Sequence, residues 1–156
     1  MSSDLPPGVT TDLQKDSVSA SAVVDASPAE IFEFLRRPAN HAVISGDHSV
    51  QSAMQGPERL SEGDKFGMKM KLGVPYRITN RVVELEEDRR IAWCHPGKHR
   101  WRWEVEPAGE GRTKVTETFD LSTAVFPPAL RLFGFPKRHE PNVARSVANV
   151  AAHFAS

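Results

Sequence analysis

The sequence predicts an α+β domain, with a strongly curved antiparallel sheet of about seven strands wrapped around one long C-terminal helix. Three observations carry this reading. First, the middle of the chain alternates: Phe66, Met68, Met70 and Leu72 interleave with Lys65, Gly67, Lys69 and Lys71, and Trp101, Trp103 and Val105 with Arg100, Arg102 and Glu104. Successive side chains on a strand point to opposite faces, so each run presents one apolar and one polar face. Second, only one substantial helical pattern is available to cover the apolar face, and it closes the sequence. Third, the order is strand, capped helix, strand run, helix. A single helix on a wide curved sheet leaves space beneath it, so a cavity and a small hydrophobic ligand are expected.

Composition narrows the field. The chain of 156 residues has 20 Lys+Arg, 20 Asp+Glu and a single cysteine, Cys94. The length fits one domain, read here as residues 17–156 behind a loose tail, 1–16. Balanced charge gives no net field toward nucleic acid, and one cysteine excludes an internal disulfide framework or a CxxC pair. No apolar run is long enough to span a bilayer, and Met1–Asp16 lacks the apolar core of a signal peptide. A soluble, cytoplasmic protein is expected, without a cofactor.

The elements follow in order. A first strand covers about Ser17–Asp25, with Val18, Ala20, Ala22 and Val24 on one face. Ser27-Pro28-Ala29-Glu30 combines an N-cap serine, a proline at the first helical position and a glutamate three residues on, which together form a capping box. Ile31, Phe34 and Leu35 supply the apolar stripe of that helix, and Pro38 stops it. A second short helix is predicted over about Ala39–Ile44, ended by Gly46. About six strands follow, broken at Gly56 to Gly63, at Gly73, at Glu87-Asp88, at Pro96-Gly97 and at Pro107 to Gly111. Connections this short favour antiparallel neighbours. Val125 to Pro136 is apolar and rich in Pro and Gly, which suits either a flap over a cavity mouth or ordinary packing before the last helix. That helix is expected over about Glu140–Ala155, with Val143, Val147, Val150 and Phe154 on one stripe.

These stretches resemble a known group. Asp25 to Phe32, Gly63 to Phe66, Asn80 to Glu84 with Arg89 to Trp93, Trp101 to Pro107, Thr113 to Phe119 and the closing helix look like those of the START/Bet v 1-like (SRPBCC) helix-grip superfamily, in the branch named for polyketide cyclases and dehydrases. The resemblance covers nearly everything after residue 16. It implies the helix-grip fold and a ligand-binding role; relatives include lipid and sterol carriers, hormone receptors and cyclases. Its motifs are caps, turns and core positions, so the site has to be argued separately.

Strand phase selects the site residues. Phe66, Met68, Met70, Ile78, Trp101 and Trp103 would form an apolar wall, joined by Val147 and Phe154 from the last helix. Glu117 shares phase with Val115, Phe119 and Leu121, which points a carboxylate at the apolar face. Burial disfavours a charged carboxyl group, and this is how an acid or base is poised near neutral pH. A strand bulge, or a pairing with an arginine at the rim, would also account for it. Asn80 shares phase with Tyr76, Ile78 and Val82 and would hold a ligand carbonyl or hydroxyl, or else a neighbouring backbone or turn, and Tyr76 would supply another polar anchor. His95, just before Pro96-Gly97, either reaches the cavity mouth or flanks a turn. The scattered histidines show no metal-ligand spacing. In Lys98 to Trp103 the tryptophans and arginines face apart, so no mixed basic and aromatic platform for single-stranded nucleic acid is expected.

Three functions compete at this stage. The first is a binding or transport protein for a small hydrophobic molecule, lipid or polyketide-like. The second is a polyketide cyclase or dehydrase in which Glu117 or His95 moves protons. The third is a filled core acting through a partner surface. The expected partner is a small hydrophobic ligand, with no nucleic acid and no stable membrane insertion; a homodimer is left open.

Overall fold

All neighbouring strands are antiparallel. The computed structural model describes residues 6–46, 49–53, 56–94, 98–124, 127–132 and 134–155. Eight strands, β1 (Thr10–Leu13), β2 (Ser17–Val24), β3 (Val50–Ala53), β4 (Lys65–Leu72), β5 (Val74–Glu86), β6 (Arg90–Cys94), β7 (Arg100–Pro107) and β8 (Thr113–Asp120), form one sheet in the order β1-β2-β8-β7-β6-β5-β4-β3. The helices are α1 (Pro28–Leu35), α2 (His41–Ile44, after a 3-10 turn at Pro38–Asn40), α3 (Pro127–Leu132) and α4 (Glu140–Phe154). Among the described residues no helix is long and apolar enough to cross a membrane.

The eighth strand is β1, which falls inside the expected loose tail. Thr10 to Leu13 pair with Ser21 to Val18, and Thr11 Oγ1 donates to Glu140 Oε2 at 3.0 Å, tying the strand to α4. The sequence hides it because Thr-Thr-Asp-Leu has no apolar alternation; these four side chains stay largely at the surface.

Local chemistry sets the helix ends. Ser27 Oγ accepts from the Glu30 backbone N–H, and Glu30 Oε1 accepts from the Ser27 N–H, both at 3.3 Å, so the capping box is present. At the other end of α1, Asn40 Nδ2 donates to the Phe34 carbonyl at 3.0 Å, and His41 Nε2 lies 2.9 Å from that of Leu35. Two carbonyls that a helix terminus would leave without partners are thereby satisfied, and the chain is folded back toward the sheet. Buried Arg36 bonds the Leu60 carbonyl and both carboxylate oxygens of Glu87, which fixes α1 against the loops beyond.

The core lies between the concave face of the sheet and α4. Val18, Ala20, Val24, Val115 and Phe119 from the strands, with Leu121 just after β8, meet Val143, Ala144, Val147 and Val150 of α4, all buried. Alternation holds along β8, where Thr113, Val115, Glu117 and Phe119 are buried and the residues between them are not. In β5 a bulge between Val82 and Glu84 resets the phase, so Val82 and half-buried Leu85 both face the core while Glu84 faces out. On that outer face Glu84 binds Arg100 at 2.6 Å and Arg102 at 2.9 Å, and Arg102 reaches Asp120 at 3.2 Å. The tryptophans and arginines of β7 therefore do face apart, and these arginines are held by carboxylates.

Candidate functional site

Helix α4 packs on β2 and β8, with further contacts to β1 and α2. Over the β4 to β7 half of the sheet the cover comes from α1, against β7, and from the short α2 with the segment after it, and there the packing opens into a cavity of about 100 Å³. Met68 and Met70 of β4, Asn80 of β5, Trp93 of β6, Trp101 and Trp103 of β7 and Glu117 of β8 form its floor. Its roof comes from His41 and Ile44 of α2, Ser45, Ser49 and Val50, and its flank from Asn142 and Ser146 of α4.

Polar contacts hold that roof on α4. The Gly46 N–H donates to Ser146 Oγ at 3.0 Å, and Asn149 Nδ2 donates to the Ile44 carbonyl at 3.1 Å. The approach is close enough to require glycine: a Cβ on Gly46 would lie 2.2 Å from the Asn142 carbonyl oxygen.

His41 is the most constrained polar residue of the wall. Its ring stacks on Trp93 and meets the edge of Phe66, with centroids 4.6 Å and 5.6 Å away. Burial pushes its pKa down to about 4, against a smaller upward pull from the Leu35 carbonyl, so the ring is neutral near pH 7. A carbonyl oxygen only accepts, so Nε2 carries the proton and Nδ1 keeps a lone pair.

Six residues selected by strand phase line this cavity: Met68, Met70, Asn80, Trp101, Trp103 and Glu117. Asn80 and Glu117 are buried, and Glu117 sits between Trp103 and Ala20 on the neighbouring strands. Others lie elsewhere. Phe66 is buried one layer back, against His41 and Trp93. Ile78 is half-buried against the core beside its cross-strand partner Met68. Tyr76 is in phase but 38% exposed, although its cross-strand partner Met70 is buried. Val147 is fully buried in the core, one position along α4 from lining Ser146. Phe154 packs edge-on against Phe34 of α1, with ring centroids 5.4 Å apart. His95 lies outside the described residues, as do Val125, Phe126 and Phe133 of the expected flap.

His41, Ser45, Ser49, Asn142 and Ser146 were not legible as site residues. They reach the cavity through the reversal after α1 and one polar flank of α4, and no periodic pattern marks either.

Residues 15–155 match the family model described as polyketide cyclase / dehydrase and lipid transport. The chain belongs to this family. It is 38% identical over 143 residues to an uncharacterized protein of Mycobacterium tuberculosis, Rv0088, an alignment covering 88% of this chain and 64% of that protein. The chain thus spans somewhat under two thirds of the length of that relative. The fold is similar to that of a Rhodobacter sphaeroides protein known from its crystal structure, with a TM-score of 0.66 and 14% identity over 93% of this chain and 96% of the other. It is also similar to Aha1 of Colwellia psychrerythraea, solved as a dimer in solution, with a TM-score of 0.60 and 12% identity over 88% and 95% of the two chains. At these identities the solved structures establish the helix-grip fold alone.

Proposed function

We propose that this family member binds and carries a small, compact hydrophobic molecule that has at least one hydrogen-bonding group. The supporting observation is the cavity itself, whose methionine and tryptophan walls converge on a few buried polar side chains, the usual composition of a ligand site. Its size limits the ligand. An apolar cavity on the order of 150 Å³ accepts one benzene-sized ring, so about 100 Å³ suits a single ring or short branched chain. A larger lipid or polyketide-like ligand would require α2 and Gly46 to lift from α4.

His41 adds a chemical preference. Its Nδ1 is an acceptor, so a hydroxyl-bearing ligand is favoured over a hydrocarbon of the same shape. The matched pair p-cresol and p-xylene tests this, read through tryptophan emission. Binding of p-cresol several-fold tighter than p-xylene supports the reading, as does native mass spectrometry that finds a small molecule copurifying. Binding of neither probe, in a protein that copurifies with nothing, would favour a filled core acting through a partner surface.

A second reading has one observation behind it: Glu117 and His41 line the same cavity. Proton transfer of cyclase or dehydrase type would use Glu117 as the carrier. His41, with a pKa near 4, would serve as a neutral acceptor rather than a general acid. We also propose a dimer, like that of the Colwellia protein, and a cytoplasmic location.

A further inference from the structure

The β4–β5 hairpin carries an arrangement that neither the fold nor the cavity requires. On its outer face Lys65 lies directly opposite Arg81 and Lys69 directly opposite Arg77, with Lys71 between Lys69 and the turn at Gly73. Like charges placed opposite each other across two strands repel and weaken the pairing. Among the described residues none of these five cations forms an ion pair, although the arginines of β6 and β7 are held by Glu84, Glu86 and Asp120. The acids nearest in sequence, Glu62 and Asp64 before β4 and Glu84 and Glu86 at the end of β5, all lie at the end of the hairpin remote from its turn. Since the whole chain has equal numbers of acidic and basic residues, this is a local concentration of charge.

The tip has a second unusual property. Val74 is 71% exposed and Tyr76 38% exposed, and both belong to the phase that turns inward further down the hairpin, at Ile78, Asn80 and Val82. Lys69 and Arg77 are each four residues from Gly73, and Lys71 is two, which places all three within about 14 Å of the turn. An apolar tip collared by unneutralised cations is complementary to one kind of partner in particular, a surface with anionic groups outside and apolar matter just beneath.

We propose that this hairpin docks, tip foremost, onto an anionic lipid surface, with Val74 and Tyr76 entering the headgroup region and Lys69, Lys71 and Arg77 meeting lipid phosphates or carboxylates. Met68 and Met70 of the same strand line the cavity, so docking brings one cavity wall to the membrane. The inference rests on the hairpin and not on the ligand reading.

Cosedimentation of the whole protein with vesicles tests it. The wild type should bind phosphatidylcholine vesicles containing phosphatidylserine, be released by high salt, and ignore phosphatidylcholine alone. Each cation near such a surface is worth about fivefold in partitioning, so Lys69→Glu with Lys71→Glu should lower binding at least tenfold. Lys69→Glu also creates an opposite-charge pair with Arg77, so the loss should come with no drop in melting temperature. Val74→Ser should weaken binding without changing its salt dependence. The cavity-filling Met68→Trp should bind vesicles as the wild type does, which separates failure of docking from failure of ligand binding. No binding to the anionic vesicles, equal binding to both vesicle types, or full binding by the charge-reversed variant would overturn the proposal. Retention on immobilised polyglutamate without vesicle binding would overturn it in favour of an acidic macromolecular partner.

Discussion

His41 and Trp93 stack with ring centroids 4.6 Å apart and planes inclined by 21°, so a titratable ring forms part of the cavity wall. The other face of the constraint is the Leu35 carbonyl, 2.9 Å from Nε2. Stacking and hydrogen bond together fix the ring, and burial keeps it neutral.

Stability should therefore depend on pH above the carboxylate range. The folded pKa of His41 is about 4, below its ordinary 6.5, so the unfolded chain takes up this proton first as pH falls. The contribution of His41 is fully present above pH 6.5 and is lost progressively down to about pH 4, a change of about 3 kcal/mol in all. Urea unfolding between pH 7 and about pH 5 should show the slope. His41→Gln, which keeps a donor for Leu35, should flatten it. Parallel profiles for variant and wild type would sink the assignment.

The outer face should respond in a different window. Desolvation pushes the Glu84 carboxyl up, but the hydrogen bonds and charges of Arg102 and Arg100 outweigh it and hold the pKa below the usual carboxylate range. Its stabilisation is present above the ordinary carboxyl pKa and disappears only as pH falls through the lowered value. Glu84→Gln should destabilise by about 1 kcal/mol after solvent screening, and less at high salt. The variant and wild type should converge in acid. A deficit that is unchanged by salt and acid would assign Glu84 a packing role instead.

The cavity can be closed from either methionine. Met68→Trp or Met70→Trp puts an indole into the space, and the imperfect fit of its rigid ring should cost about 1–3 kcal/mol of stability. Binding of p-cresol should disappear while the far-ultraviolet spectrum stays native. Unaltered binding in both variants would place the probe elsewhere.

The fold was legible because its signals are local and redundant. The capping box at Ser27, the two-residue period from Lys65 to Leu72 and the valine stripe of α4 each specify an element. Their order leaves one helix for one sheet. The site was legible only where it is built on strands, since phase alone turns Asn80, Trp103 and Glu117 inward. Phase fixes a face but not its cover, so Tyr76 shares the inward phase and is still 38% exposed. His41 was missed for the opposite reason. Its position depends on a reversal after α1 that is stabilised by contacts to carbonyls, which leave no periodic trace.

Gly46 tests the seam between roof and helix. A Cβ there would sit 2.2 Å from Asn142 O and 2.9 Å from Ser146 N, both backbone atoms of α4 that cannot swing aside. Gly46→Ala should push α2 off α4, break the hydrogen bond to Ser146, and lower stability by about 1–3 kcal/mol. Because the roof would lift, ligands larger than p-cresol should bind better in this variant than in the wild type. A fully stable Gly46→Ala protein with unchanged ligand size preference would show that the seam is not the gate.

Glu117 is the sharpest test of whether stability has been traded for a site. It is 6% exposed and flanked by Trp103 and Ala20 on adjacent strands, and among the described residues lining the cavity there is no Lys or Arg. In that setting Glu117→Gln should keep the fold to within about 1.5 kcal/mol, because an amide replaces the carboxyl at almost the same shape. Glu117→Leu should cost more, about 1–3 kcal/mol, because an apolar side chain leaves the hydrogen-bonding neighbours of the carboxyl without a partner. Both should weaken p-cresol binding, and Glu117→Gln should also remove any pH dependence of that binding. A loss of about 3–5 kcal/mol in either variant would instead mark Glu117 as half of a buried charged pair. Its role would then be structural, and the acid–base reading would lose its proton carrier.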